Sequence, residues 1–122
     1  MRTVLLVDDS AVARRVLAKR LEAEGFPVIE ASSAAMARKV DAASLACAVV
    51  DLELPDGDGT DLARALTVKR PALPIAFFTM GGAPSLVEGA RARGPVFIKP
   101  DVVPLIAWVK RTVRPSQPPP TK

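Results

Sequence analysis

Ala48-Val49-Val50-Asp51-Leu52-Glu53-Leu54-Pro55-Asp56-Gly57-Asp58-Gly59 is an apolar run of strand length that ends in a carboxylate and turns through Pro and Gly toward a helix starting at Thr60. In a parallel α/β sheet, ligands bind outside the carboxyl ends of the strands. Asp51 is therefore presented at the edge where such a fold does its chemistry.

The flanking sequence repeats the same unit. Thr3 to Val7 is apolar after Thr3, as in a strand covered on both faces, and ends at Asp8-Asp9. Ser10 is a good N-cap for a helix to Glu24, with Val12, Val16, Leu17 and Leu21 as its apolar stripe and Gly25 as C-cap. Phe26 to Ala31 is short and holds Pro27, which places it at a sheet edge. Ser32 or Ser33 starts a second helix through Val40. Leu45 to Val50 is the third strand, and Thr60 to Lys69 the third helix, stopped before Pro71. Pro74 to Thr79 is the fourth strand, Met80-Gly81-Gly82-Ala83-Pro84 a flexible loop, and Ser85 the cap of a short fourth helix ending near Gly94. Pro95 to Lys99 is the fifth strand. Leu105 to Val113 carries Leu105, Ile106, Val109 and Val113 on one stripe, with Pro104 suited to its first turn.

Five strand-helix repeats imply an α/β fold, a doubly wound (βα)5 three-layer sandwich with a parallel five-stranded sheet. One domain is expected over residues 1–114, with a Pro-rich tail, 115–122, as a disordered end or linker stub. With 122 residues, 49% of them hydrophobic, the chain can fold without staples. The single cysteine, Cys47, lies in an apolar run and reads as a buried thiol in a reducing compartment. No run approaches the length of a membrane span, and the N-terminal apolar stretch meets Asp8-Asp9 too soon for a signal peptide, so a cytoplasmic location is expected. Residues 1–61 hold 7 Lys/Arg against 11 Asp/Glu, and residues 62–122 hold 10 against 2, so a net charge of +4 conceals an acidic half and a basic half. The basic half has few aromatics and no nucleic-acid motif, so direct DNA or RNA contact is not expected.

Asp8/Asp9, Asp51, Thr79 and Lys99 all stand at strand ends. If those strands are neighbours, three carboxylates, a hydroxyl and an ammonium converge. Clustered carboxylates repel unless a hard dication sits among them, and a small oxygen-only set suits Mg²⁺. Lysine and threonine can then hold phosphoryl oxygens. With no His or Tyr in the chain, a carboxylate is the natural nucleophile, and Asp51 the best placed to form an aspartyl phosphate. Gly81-Gly82 lacks the spacing of a phosphate-cradling loop.

Val7-Asp8-Asp9-Ser10, Asp51 followed by Pro55 and Gly59, Thr79, and Lys99-Pro100, in that order at strand ends, resemble a response-regulator receiver domain of two-component signalling, over Arg2 to about Arg114. The resemblance implies a flavodoxin-like sheet of order 2-1-3-4-5. It makes Asp51 the phosphoacceptor, Asp9 a direct Mg²⁺ ligand, Asp8 an assistant through water, and Glu53 a ligand through its backbone carbonyl. It places Thr79 and Lys99 on the phosphoryl oxygens and suggests a cis Lys99-Pro100 peptide. The implied protein is a self-phosphorylating and self-dephosphorylating switch rather than a conventional enzyme, fed by a sensor histidine kinase or a phosphotransfer protein. Its output would be a downstream target or a homodimer, meeting a basic face that carries Arg91, Arg93, Lys110, Arg111 and Arg114. Two positions depart from the family: Val96 stands where an aromatic that follows the threonine is usual, and Met80 replaces a small residue. By strand alternation Phe97 points to the opposite face from Val96.

Two other readings remain. A haloacid-dehalogenase-like phosphatase needs a second Asp two residues after the nucleophile, where this chain has Glu53. A pseudo-receiver, an interaction module independent of phosphorylation, would tolerate Val96 and a short fourth helix, but would not need Asp8, Asp9, Asp51, Thr79 and Lys99 together.

Overall fold

Alternation along short apolar strands gives each strand two buried faces, and only a covered parallel sheet accommodates them. The computed structural model describes residues 2–113. Arg114 and the Pro-rich segment lie outside the described residues. Strands β1 (Val4–Val7), β2 (Val28–Ala31), β3 (Cys47–Val50), β4 (Ile75–Thr79) and β5 (Val96–Ile98) form one sheet in the order β2-β1-β3-β4-β5, every pairing parallel. Val4 lies beside both Val28 and Cys47, so β1 is flanked on either side, and β2, which follows directly on Pro27, is at the edge as expected.

The helices are α1 (Ala11–Ala23), α2 (Ala34–Arg38), α3 (Gly59–Lys69), α4 (Pro84–Arg91) and α5 (Val103–Thr112). Leu5 and Val7 face one side of the sheet, where they meet Ala37 of α2, Leu62 and Leu66 of α3, and Ala90 of α4. Val4 and Leu6 face the other, against Leu17 and Leu21 of α1 and Leu105 and Val109 of α5. Each of the fully buried leucines contributes about 1.5–3 kcal/mol of transfer free energy. The expected stripe of α5 is buried throughout, and Cys47 is fully buried. Val96 packs against the first cluster and Phe97 against the second, as strand alternation requires.

Several boundaries and faces differ from expectation. Val12 and Val16 are 77% and 53% exposed. The inward face of α1 is Arg14, Leu17, Ala18 and Leu21, an i, i+3, i+4, i+7 set in which a small alanine lets the helix approach the sheet; Val12 and Val16 fall on the opposite side. Ser10 does cap α1, accepting from the Ala13 amide, and Gly25 follows it at φ 92°. Of the two serines before α2, Ser33 is the cap, and the helix ends at Arg38, short of Val40. Ser85 is not the cap of α4: the helix starts at Pro84, after Ala83, because proline has no amide to satisfy at that position. The helix has eight residues, short as the sequence implies. Strand β3 begins at Cys47 because a 3-10 turn at Ala42–Ser44, capped by Asp41, precedes it.

The connection after β3 holds an unforeseen two-residue antiparallel ribbon, Glu53–Leu54 against Gly57–Asp58. Asp56 at its turn accepts from the amides of Ala34 and Ala35, both at 2.9 Å, and so ties this loop to the start of α2. Asp58 caps α3 through the Asp61 amide at 2.9 Å. Gly59 must be glycine for space: a Cβ there would stand 2.2 Å from the Asp51 carbonyl oxygen.

Candidate functional site

The strand order alone gathers the site. Because β1, β3, β4 and β5 are consecutive neighbours, the residues at their carboxyl ends share one edge. Asp8 follows β1, Asp51 follows β3, Thr79 ends β4 and Lys99 follows β5. Asp8, Asp51 and Thr79 are buried, whereas Asp9 is exposed.

Carboxylate oxygens of Asp8, Asp9 and Asp51 all lie within 4.8 Å of one another. Lys99 Nζ reaches both Asp8 Oδ2, at 2.6 Å, and Asp51 Oδ2, at 2.9 Å. Burial opposes the charge on Lys99, but the hydrogen bonds and negative charges of Asp8 and Asp51 outweigh it and hold its pKa above the ordinary lysine value. The other Asp8 oxygen accepts from the Ser10 amide at 2.9 Å, and Asp51 Oδ1 accepts from the Glu53 amide at 3.3 Å. Glu53 itself is exposed, its amide turned to Asp51. The Lys99–Pro100 peptide is cis.

The Thr79 hydroxyl donates to the Gly81 carbonyl at 3.0 Å, while the Lys99 amide donates to the Thr79 carbonyl at 2.8 Å. Met80 is 74% exposed and, with Ala13, Val16, Lys99, Pro100 and Val102, lines an apolar pocket of about 250 Å³ beside the acidic cluster. The donor set fits a hard dication: three carboxylates, no nitrogen or sulfur ligand, and an ammonium already answering their charge. Such a set suits Mg²⁺, which binds few carboxylates and keeps room for phosphate oxygens.

One participant escapes the sequence reading. Arg14 of α1 is largely buried; its Nη1 donates to the Asp8 carbonyl at 2.6 Å and its Nε to Glu30 Oε1 at 2.9 Å. Arg15 holds the other Glu30 oxygen. Burial opposes the Glu30 charge, yet the bonds and charges of Arg15 and Arg14 prevail and lower its pKa. The available signal was Glu30 itself, an acid on the α1-facing side of a strand, which needs a basic partner.

Of the five basic residues expected on one face, Arg91, Arg93, Lys110 and Arg111 are exposed. Lys110 turns toward α1, where its Nζ lies 3.1 Å from Glu24 Oε1. Arg114 lies outside the described residues. No helix among the described residues is long and apolar enough to cross a membrane.

A family model, the response regulator receiver domain, matches residues 4–98, which include all five strands with Asp8, Asp9, Asp51 and Thr79 and end one residue before Lys99. The chain belongs to the response regulator receiver family. The photosynthetic apparatus regulatory protein RegA of Cereibacter sphaeroides is 41% identical to this receiver over 83 residues, 67% of this chain and 45% of that protein. The transcriptional regulatory protein PdtaR of Mycobacterium tuberculosis is 33% identical over 118 residues, 86% of this chain and 55% of that protein. The receiver thus spans about half the length of these curated relatives. Among solved structures, the non-phosphorylated HemR receiver domain from Leptospira biflexa superimposes with a TM-score of 0.81 at 28% identity, covering 97% of this chain and 98% of that one. The response regulator TrrA from Thermotoga maritima, solved with Mg²⁺ and beryllofluoride, shares the fold with a TM-score of 0.82 at 23% identity, covering 92% and 99%.

Proposed function

We propose that this receiver is a working phosphoacceptor switch in which Asp51 takes a phosphoryl group from the phosphohistidine of a sensor histidine kinase or phosphotransfer protein. The observation that carries the reading is the convergence of Asp8, Asp9 and Asp51 with Lys99 bridging Asp8 and Asp51. A carboxylate oxygen of Asp51 forms the new O–P bond as the P–N bond of the donor breaks, and the imidazole leaves with its electron pair. Asp9 and Asp51, with Asp8 through water and the Glu53 carbonyl, would hold Mg²⁺, which would supply positive charge to the phosphoryl oxygens. Lys99 is the protein's own cation at the site: when Asp51 becomes an acyl phosphate, it loses its carboxylate charge, and the ammonium is free to follow the phosphoryl oxygens. Thr79 exchanges its bond to the Gly81 carbonyl for another phosphoryl oxygen, which alters the loop before α4.

That loop leads to the output face. Arg91, Arg93 and Arg111 stand exposed on α4, just beyond it and on α5, and Arg114 follows. An acidic partner or a second copy of the receiver docks there, with phosphorylation shifting a pre-existing equilibrium. The domain occupies 1–114, acts in the cytoplasm and makes no direct nucleic-acid contact.

Incubation of the protein and of Asp51→Asn with a small acyl phosphate and Mg²⁺, followed by intact mass, tests the reading. A base-labile phosphoryl adduct on the wild type alone supports it. Lack of an adduct, where a known receiver is labelled, supports instead a phosphorylation-independent interaction module, the reading favoured by Val96 in place of an aromatic and by the eight-residue α4.

A further inference from the structure

The Asp8–Asp9 turn is held from one side by a group that plays no part in the reading above. Asp8 has its carboxylate oxygens engaged by the Ser10 amide and by Lys99, and its amide donates to the Ala31 carbonyl at 3.1 Å. Its carbonyl takes the Arg14 guanidinium at 2.6 Å. Asp9, by contrast, is exposed, and its carboxylate accepts no hydrogen bond among the described residues. The direction in which Asp9 leaves the backbone therefore depends on the plane of the Asp8–Asp9 peptide, whose oxygen Arg14 holds. Arg14 is not free to drift, because its Nε is fixed 2.9 Å from Glu30 Oε1 on the edge strand β2, and Glu30 is gripped in turn by Arg15. Arg14 also lines, with Asp8, Asp51, Leu17, Val49 and Phe78, a cavity of about 10 Å³ behind the two buried carboxylates.

We propose that Arg14, tethered by Glu30, is a positioning residue for the cation site: it fixes the Asp8–Asp9 peptide so that the Asp9 carboxylate converges with Asp8 and Asp51. It touches neither the ion nor the phosphoryl group. Outer partners that orient metal ligands usually matter by about 10–100-fold in affinity, and for one backbone contact the lower end applies. This inference rests on the Mg²⁺ reading of the acidic cluster.

Its sign separates positioning from bulk electrostatics. Removing a cation beside three carboxylates should tighten a dication by charge alone. Losing the peptide's anchor should weaken it.

The test is calorimetric titration of Mg²⁺ into the unphosphorylated wild type, Arg14→Met, Arg14→Lys and Glu30→Gln at neutral pH, with circular dichroism to confirm folding. Arg14→Met should raise the Mg²⁺ Kd by roughly tenfold. Arg14→Lys, which keeps the charge but not the fork, should raise it too. Glu30→Gln, which keeps the arginine but loosens its tether and also removes a negative charge, should raise it by less than Arg14→Met does; if Arg14→Met does not fold, the charge-conserving Arg14→Lys carries the expectation. Phosphorylation by an acyl phosphate should then recover in the variants at high Mg²⁺. Equal or tighter Mg²⁺ binding in folded variants overturns the positioning role and leaves the metal site standing. A wild type that binds no Mg²⁺ overturns both.

Discussion

Replacing Lys99 by Met should make the stability of this receiver depend on Mg²⁺. Nζ lies 2.6 Å from Asp8 Oδ2 and 2.9 Å from Asp51 Oδ2, and both ion pairs join side chains only about one-tenth exposed. At an effective dielectric of about 20, each contact is worth roughly 6 kcal/mol before desolvation. Two carboxylates within 4.8 Å repel by roughly 3.5 kcal/mol on the same scale. Desolvation of three ions removes most of the attraction, but deleting only the cation leaves the repulsion and the buried charges unanswered, at a cost of about 3–5 kcal/mol. For a domain of this size that is a fall in Tm of roughly 10–20 °C. The raised Lys99 pKa means that its contribution is fully present below the ordinary lysine pKa and is lost only as pH rises through the higher folded value, so neutral pH is the right condition. Mg²⁺ at 100 times its Kd contributes about 2.7 kcal/mol. Lys99 already engages two of the three carboxylates that would hold the dication, so the variant should gain more from Mg²⁺ than the wild type does. Thermal unfolding of both proteins in chelator and in excess Mg²⁺ decides the matter. A variant as stable as the wild type in chelator, or one whose Mg²⁺-induced Tm shift is no larger, refutes the reasoning.

Gly59→Ala should lower the urea midpoint by an amount equivalent to about 1–3 kcal/mol, because its Cβ would meet the Asp51 carbonyl oxygen at 2.2 Å; it should also slow acyl-phosphate labelling, and unchanged labelling would show that Asp51 tolerates the shift. Met80→Ala should change the lifetime of the acyl phosphate, since Met80 stands beside Lys99 at the mouth of the site; equal decay rates in the two proteins would end that idea. Cys47, buried and with its thiol pKa pushed up to about 12, should resist iodoacetamide at pH 8 until denaturant is added, and rapid labelling of the native protein would contradict the fold. Glu30 has a lowered folded pKa, so its contribution is present above the unfolded value and is lost as pH falls through the folded one; acid unfolding of Glu30→Gln should therefore show a shallower dependence on pH than the wild type.

The sequence by itself determined the layers, the sheet edge and the polar residues that stand at the strand ends. Apolar runs of strand length alternating with helical segments specify a covered parallel sheet, Pro27 marks an edge, and polar residues placed where apolar strands stop mark the ligand-binding side. These are local signals, written in the residue order. Tertiary structure decided what depends on rotation and reach. Which face of α1 is inward turned on whether Arg14, Leu17, Ala18 and Leu21 or the valines met the sheet, and periodicity offers both stripes when apolar residues are spread around a helix. The ribbon at Glu53–Leu54 and Gly57–Asp58 arose because Asp56 found the amides of α2. Lys99 bridging Asp8 and Asp51, and Arg14 reaching the Asp8 carbonyl, join residues far apart in the chain or on different elements. Such contacts have no period to read, because a long charged side chain is directed by the partner it finds once the sheet has brought strand ends together.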